Sequence, residues 1–102
     1  MKKRNLSQEK IIDCFRELAE EMDVQQLTFQ HLAKRLDIKS PSLYNYFKNI
    51  REVKTALTAQ LLRELNDQLL RALVGKSGAE ALRIYAKTYQ EFAFANRAVY
   101  EL

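Results

Sequence analysis

The sequence predicts an all-α fold, and three observations support this prediction. The 102 residues include only two glycines and one proline, whereas folds with many strands need frequent tight turns. Apolar residues recur at steps of three and four along most of the chain, which is the spacing of one helix face. Ser, Thr and Asn stand directly before several of these patterns, where they favour helix N-termini.

The first predicted helix begins with Ser7 as its N-cap and runs to about Met22. Its apolar stripe has helical spacing and consists of Ile11, Phe15, Leu18, Ala19 and Met22. Cys14 lies beside this stripe, and we interpret it as a small buried hydrophobic residue. A redox-sensing thiol is the alternative, but a single cysteine cannot form an internal disulfide.

Two short helices follow. The second helix is predicted to begin at Thr28 and to end at Asp37, and its buried face comprises Phe29, Leu32, Ala33 and Leu36. The third helix is predicted to have Ser40 as its N-cap and Pro41 at its first position. Leu43 and Phe47 would anchor it, which leaves the remaining polar side chains to point elsewhere: Ser42, Tyr44, Asn45 and Tyr46.

The fourth helix is predicted from Asn49 to Val74, with Glu52 completing a capping box and Gly75 ending the helix. It carries apolar residues at four-residue steps, namely Val53, Leu57, Leu61, Leu65, Leu69 and Leu73. A second capping box, Ser77 with Glu80, would start a fifth helix that breaks at residues 96–97. Its apolar stripe consists of Leu82, Tyr85, Ala86, Tyr89, Phe92 and Ala93. We interpret most of Tyr85, Tyr89 and Phe92 as core, with the lining of an effector pocket as the alternative. A further apolar pattern starts at Val99, Tyr100 and Leu102, so we expect a truncated chain.

Composition argues against several functional classes. No apolar run resembles a signal peptide or a membrane span, so we expect a cytoplasmic protein that does not contact a membrane. His31 is the only histidine, and it has no accompanying cluster of cysteines or carboxylates. We therefore predict no metal site, no cofactor and no catalytic residues, and hence no enzyme.

Charge is distributed unevenly along the chain. Residues 7–23 hold six acidic and two basic residues, whereas residues 24–54 hold six basic and two acidic residues. The segment Met1 to Leu6 adds three more positive charges. Basic residues around one short segment fit a polyanionic partner, and a solvated charged face is the alternative interpretation.

Two short helices joined by a tight turn and braced by a preceding helix are typical of a helix-turn-helix motif. The second helix of such a motif enters the major groove of DNA. Hydroxyl groups suit phosphate oxygens or base edges, and Asn45 can pair with an adenine edge. Free backbone N–H groups near Thr28 and Ser40 provide further anion sites.

Residues 27–49, LTFQHLAKRLDIKSPSLYNYFKN, resemble the N-terminal signature of the TetR/AcrR family. The shared marks are a threonine opening the second helix, Leu-Ala within it, and the Leu-Tyr-x-(His or Tyr)-Phe pattern closing the third. The resemblance extends over residues 7–57 and weakens afterwards, although residues 89–93 with 96–97 and 100–102 resemble the start of one ligand-domain subtype. It implies contacts to the DNA backbone from Thr28, Ser40, Ser42, Tyr44 and Tyr46. It also implies base contacts from Gln30, Pro41 and Asn45, and we add Lys39 and Lys48 as basic residues of the same site.

The sequence departs from the family pattern at three positions. Asp37 stands at the turn position that is usually Gly, and Asp23-Val24 replaces a Gly after the first helix. Ile50 occupies the position of a common phosphate-binding lysine, for which Lys48 or Arg51 is a candidate substitute.

The resemblance implies a sequence-specific transcription regulator, usually a repressor. We expect residues 1–54 to form a DNA-binding domain and residues 55–102 to form a connecting helix and the truncated start of an effector-binding and dimerisation domain. The implied partners are a double-stranded DNA operator, a second copy of the protein and a small-molecule effector, whose binding residues the sequence does not identify. The alternative is a helical protein-interaction module with vestigial DNA binding.

Overall fold

The computed structural model describes residues 6–99, which form four α-helices and three short 3₁₀ segments. The α-helices are α1 (Gln8–Ala19), α2 (Phe29–Leu36), α3 (Ile50–Leu73) and α4 (Gly78–Ala95), and the 3₁₀ segments are Val24–Gln26, Ser40–Asn45 and Arg97–Val99. No strand occurs in this part of the chain, so the all-α prediction is confirmed. The basic residues before Leu6 and the apolar positions Tyr100 and Leu102 lie outside the described residues.

Helix α1 begins as predicted, because the Ser7 hydroxyl oxygen accepts a hydrogen bond from the Lys10 N–H at 3.2 Å. Its buried face is broader than predicted and also includes Ile12. The helix ends at Ala19, three residues before the predicted end. The chain then forms the Val24–Gln26 turn, which the sequence analysis did not predict.

Helix α2 lies where the sequence predicts it, and its end is a Schellman motif. Asp37 adopts the left-handed conformation, with φ 60° and ψ 47°. Its N–H donates to the Lys34 carbonyl at 3.2 Å, and the Ile38 N–H donates to the Ala33 carbonyl at 2.9 Å. Asp tolerates this conformation better than most residues, so the motif forms without the usual glycine.

The predicted third helix is a six-residue 3₁₀ helix, which we call the SPSLYN segment (Ser40–Asn45). Its N-cap is Lys39, so the prediction of Ser40 as N-cap is wrong by one residue. Pro41 has no N–H, and Ser42 donates to the Lys39 carbonyl at 3.0 Å, a step of three residues. The predicted anchors are confirmed, since Leu43 is fully buried and Phe47 is 6% exposed.

Helix α3 matches its predicted bounds, with Asn49 as N-cap and Gly75 in the left-handed conformation just beyond its C-cap Val74. Val53 and Leu57 are fully buried, in one core with residues of α1, α2 and the SPSLYN segment. The predicted apolar row is less completely covered further along, where Leu61, Leu65 and Leu73 are half-buried. Thus α3 has one end in the core and extends away from it.

Helix α4 packs along α3, and two predictions about it are wrong. The predicted capping box does not form, because the side chain of the N-cap Ser77 makes no capping hydrogen bond. Gly78 follows with a φ of 59°, and the Glu80 carboxylate pairs with Lys76 instead. The apolar stripe is not core, since no residue of α4 is buried. Helix α3 is the element that packs most extensively against α4, and most residues of α4 are exposed.

A polar cluster joins three helical elements. The Arg16 guanidinium of α1 donates two hydrogen bonds to the Glu64 carboxylate of α3, at 2.8 and 2.9 Å. It donates a third to the side-chain oxygen of Asn96, the C-cap of α4, at 2.7 Å. Just beyond, Val99 is 3% exposed and belongs to the same core as α1. The end of α4 is therefore fixed to the first half of the chain.

We expect Glu64→Gln to lower the free energy of unfolding by about 1 kcal/mol at pH 7, since the ion pair is partly screened by solvent. Hydrogen bonds from Arg16 hold the pKa of Glu64 below its ordinary value of 4.5. A carboxylate with a lowered folded-state pKa contributes stability that is complete above the unfolded-state pKa and is lost as pH falls through the folded-state value.

The difference between wild type and Glu64→Gln should therefore vanish as the pH is lowered below 4.5. Denaturant unfolding at a series of pH values measures it. Glu80→Gln is the matched control, because the Lys76–Glu80 contact is longer, at 3.9 Å. A difference for Glu64→Gln that does not change with pH would contradict this assignment.

Candidate nucleic-acid interface

The SPSLYN segment presents two rows of side chains to solvent. In a 3₁₀ helix, residues three apart lie above one another, so side chains fall into three rows. The row that contains buried Leu43 faces the core and includes half-buried Ser40 and Tyr46. The other two rows pair residues 41 with 44 and 42 with 45, and only Ser42 among these four residues is not exposed. A ligand approaching the segment would meet these two rows.

Tyr44 is the most prominent side chain of the outward rows, at 61% exposure. Its ring packs edge-on against Phe29 of α2, with ring centroids 5.0 Å apart and an interplanar angle of 73°. Phe29 is itself 8% exposed, so it forms a fixed support. The contact orients Tyr44 while leaving most of its surface free.

Tyr46 differs from the other predicted contact residues. Its hydroxyl donates a hydrogen bond to the Leu6 carbonyl at 3.0 Å, and its own carbonyl accepts one from the Gln8 side-chain amide at 3.0 Å. A phenol has a single donor hydrogen, so in this arrangement it has none left for a phosphate. Tyr46 joins the SPSLYN segment to the start of α1.

At the N-terminus of α2, Thr28 and Gln30 flank Phe29, whose ring contacts Tyr44, and both are exposed. His31 closes this end of the helix. Its Nδ1 accepts a hydrogen bond from the Thr28 N–H at 3.1 Å and lies 3.0 Å from the Thr28 hydroxyl. The imidazole thus has the place that Glu or Gln takes in an ordinary capping box.

Basic side chains surround the SPSLYN segment unequally. Lys39, Lys48 and Arg51 are exposed, and none pairs with a carboxylate within residues 6–99. Arg35, by contrast, forms ion pairs with Glu17 and Glu21 of α1. Acidic residues of α1 therefore neutralise the charge of Arg35. The side chains of Lys39, Lys48 and Arg51 remain available to bind a ligand.

Two other sequence interpretations concern chemistry outside this surface. Cys14 is 4% exposed, and desolvation by burial raises the pKa of its thiol to about 11. A protonated thiol is a poor nucleophile, which agrees with a packing role. The described residues contain no group of three or more His, Cys, Asp or Glu side chains that could hold a metal ion, and none of their helices is long and apolar enough to cross a membrane.

Comparison with known proteins finds relatives among bacterial regulators. No family model matches the chain. It is 35% identical over 85 residues to the class D tetracycline repressor protein of Escherichia coli. The matched region covers 83% of this chain and 38% of the repressor. The class H tetracycline repressor of Photobacterium damsela subsp. piscicida gives the same values.

The chain is related to TetR-type repressors. It is also 29% identical over 96 residues to the HTH-type transcriptional regulator YobS of Bacillus subtilis, covering 94% of this chain and 50% of that protein. These relatives confirm the resemblance seen in the sequence. The chain spans between 38% and 50% of the length of the three relatives.

The structure gives physical reasons for two departures from the TetR pattern. Asp37 occupies the turn in the left-handed conformation that glycine usually supplies. Ile50, in place of a lysine, is half-buried and packs against the core. At this end of α3 the Lys48 N–H donates to the Glu52 carboxylate at 2.7 Å, and the Asn49 side chain caps the helix. Arg51 is the first basic residue of α3, and it is exposed.

Sequence reasoning missed the two side chains that organise this surface through hydrogen bonds. The sequence analysis considered His31 as a metal ligand and not as a helix cap, and the histidine at the third helical position was the available signal for its capping role. The partner of Tyr46 is 40 residues away in sequence, so no local pattern could have indicated it.

We expect His31→Ala to lower the free energy of unfolding by about 0.5–1 kcal/mol, because the Thr28 N–H loses its acceptor. His31→Gln is the matched control, since it retains an acceptor at the third helical position. Denaturant unfolding and amide hydrogen exchange at Thr28 provide the measurements. Equal stability and equal exchange in the two variants would show that the cap is unimportant.

Proposed function

We propose that this chain is the DNA-binding end of a transcription regulator that recognises an operator sequence through the SPSLYN segment. The observation that carries the proposal is the pair of outward rows formed by residues 41, 42, 44 and 45. They project from a segment that a fully buried leucine holds in the core, with unpaired cations on either side. Relationship to tetracycline repressors supports the same function.

The four outward residues have two proposed roles, and each row contributes one residue to each role. Asn45 reads a base edge in the major groove, where its amide can pair with adenine. Pro41 makes an apolar contact with a base edge, while Tyr44 and Ser42 donate hydroxyl hydrogen bonds to phosphates. Lys39, Lys48 and Arg51 add backbone contacts on either side. Thr28 and Gln30 approach the same groove from the N-terminus of α2.

In this proposal the regulator is a homodimeric repressor, with residues 1–54 as its DNA-binding domain and residues 55–102 as the start of its regulatory domain. A dimer would place two SPSLYN segments on half-sites about one helical turn apart, roughly 34–36 Å. The operator would then be a near-palindrome, because its symmetry follows that of the protein.

Selection of binding sites from a randomised duplex pool with the full-length protein, at two salt concentrations, tests the proposal. We expect a palindromic sequence to be enriched and its affinity to fall steeply with salt, since phosphate contacts release counterions. Binding that is weak, indifferent to sequence and insensitive to salt would favour the alternative, a protein-interaction module.

For Tyr44 and Asn45 we expect different mutational effects on operator binding. Tyr44→Ala should weaken binding to all operator variants. Tyr44→Phe is the control, because it removes the hydroxyl but keeps the ring that contacts Phe29. Asn45→Ala should relax the preference at one base position by about 1–3 kcal/mol. Titration against single-base operator variants measures both effects. A uniform loss across all variants on Asn45→Ala would show that Asn45 contacts the backbone instead.

We further propose that a small-molecule effector tunes operator binding from a cavity between α3 and α4. The cavity has a volume of about 210 Å³ and a mainly apolar lining that includes Leu61, Leu65, Tyr89 and Phe92. Asn96 also lines it, and this residue accepts a hydrogen bond from Arg16 of α1. A molecule that moves Asn96 therefore changes a contact with the DNA-binding end of the chain.

Coupling requires that the effector bind one arrangement of the helices better than another. Helix α3 is continuous from the SPSLYN side of the core to the cavity, so a change in its angle would alter the separation of two SPSLYN segments in a dimer. Thus α3 transmits the change from the cavity to the SPSLYN segment, and Asn96 connects the cavity with α1.

Filling the cavity should imitate an effector. Ala93 lines it, so we expect Ala93→Phe to lower operator affinity at least several-fold, measured by fluorescence anisotropy with the full-length protein. Ala95→Phe is the matched control, because Ala95 is exposed and lies outside the lining. Operator affinity that is the same in both variants would refute coupling through this cavity.

A further inference from the structure

The residue that ends the SPSLYN segment is held by the start of α1. Tyr46 is the C-cap of the segment, and its hydroxyl donates to the Leu6 carbonyl at 3.0 Å. The Gln8 side-chain amide donates to the Tyr46 carbonyl, also at 3.0 Å. We call these two hydrogen bonds the Tyr46 clamp. They fix both the side chain and the main chain of one residue to a part of the chain that is 38 to 40 positions away in sequence.

Tyr46 lies on the row of the segment that faces the core. Residues 40, 43 and 46 share this row, on which Leu43 is fully buried. Tyr46 is half-buried and packs against the core, as does Leu6. Its phenol has one donor hydrogen, which the Leu6 carbonyl receives. The position of Tyr46 and its hydrogen bond therefore both argue against a direct contact with a ligand that approaches the outward rows.

Asn45, the exposed residue proposed to read a base, directly precedes Tyr46 in the chain. A side chain that recognises its partner through hydrogen bonds must be held within about 0.5 Å of the productive geometry. Leu43 fixes the rotation of the segment two residues before Asn45, and the Tyr46 clamp fixes the backbone one residue after it. Asn45 is therefore held from both sides, which the few hydrogen bonds of a six-residue helix could not do alone.

We propose that Tyr46 and Gln8 are positioning residues that set the base preference of the protein by holding Asn45, and that Tyr46 does not contact the operator. The inference rests on the proposed DNA-binding function and assigns part of the specificity of that site to residues behind it. It gives Tyr46 a different role from the direct backbone contact that the resemblance to the family implies. It also brings α1, through Gln8, into sequence recognition.

The test compares Tyr46→Phe and Gln8→Ala in the full-length protein. Tyr46→Phe removes the hydroxyl and keeps the ring that packs against the core, whereas Gln8→Ala changes an exposed side chain, so both variants should fold. Gln90→Ala is the matched control, because Gln90 is exposed on α4. Affinities are measured for the selected operator, for its single-base variants and for an unrelated duplex.

We expect Tyr46→Phe and Gln8→Ala to reduce discrimination several-fold at the base position that Asn45→Ala identifies. Affinity for the unrelated duplex should hardly change, because the phosphate contacts remain. In an Asn45→Ala background neither substitution should reduce discrimination further, since the side chain held by the clamp is absent. An equal loss of affinity for every duplex on Tyr46→Phe, retained in the Asn45→Ala background, would overturn the proposal and show that Tyr46 contacts a phosphate.

Hydrogen exchange provides a measurement that does not involve DNA. The Tyr46 and Phe47 N–H groups both donate to the Leu43 carbonyl at 3.0 Å. Their exchange should be faster in Tyr46→Phe and in Gln8→Ala than in Gln90→Ala, because the clamp restrains this end of the segment. Equal exchange in the three variants would overturn the positioning role.

Failure of this inference can be distinguished from failure of the function on which it rests. Sequence-selective binding by the wild-type protein, with unchanged discrimination in Tyr46→Phe and Gln8→Ala, would overturn the inference alone. Selective binding in which Asn45→Ala relaxes no base position would do the same, because the clamp would then hold no base-reading residue. A wild-type protein that binds all duplexes equally would overturn the proposed function and the inference together.

Discussion

Burial of Leu43 is the constraint on which the candidate site depends. The SPSLYN segment is only six residues long, too short for its own hydrogen bonds to define a stable helix. One fully buried side chain at its centre fixes the rotation of the segment about its axis. Since the segment has three residues per turn, that single choice decides which two rows meet solvent. Pro41 contributes by removing a donor and enforcing the tight start.

Much of the fold follows from patterns that are local in sequence. N-caps at Ser7, Thr28 and Asn49 and the turn at Asp37 placed most of the helix boundaries, because capping depends on residues within one turn of each other. The fully buried residues were mostly predicted too, since helical periodicity records burial directly. The sequence predicted a third short helix without its type, and the structure shows a 3₁₀ helix that begins with Lys39 as its N-cap.

The parts that could not be predicted all involve contacts between distant positions. Tyr46 lies among polar residues in the sequence, which is typical of a contact residue. Its hydroxyl nevertheless donates a hydrogen bond to the Leu6 carbonyl. Arg35 counts as a cation in the sequence but is neutralised by α1 in space. Helix α4 has the periodicity of a core helix, whereas its exposure depends on what else packs against it. In each case the pattern gives residue chemistry, and tertiary structure decides where that chemistry is used.

The burial of Val99 has a consequence for the modularity of this polypeptide. A residue near the far end of the chain fills part of the core formed by α1, α2 and the SPSLYN segment. Residues from both halves of the described chain therefore pack in one core. Replacing the residues after 54 with the corresponding sequence of a relative would leave a cavity beside α1, unless the incoming sequence supplied an apolar side chain of similar volume. Exchange of segments between this chain and its relatives is thus constrained by packing as well as by helix register.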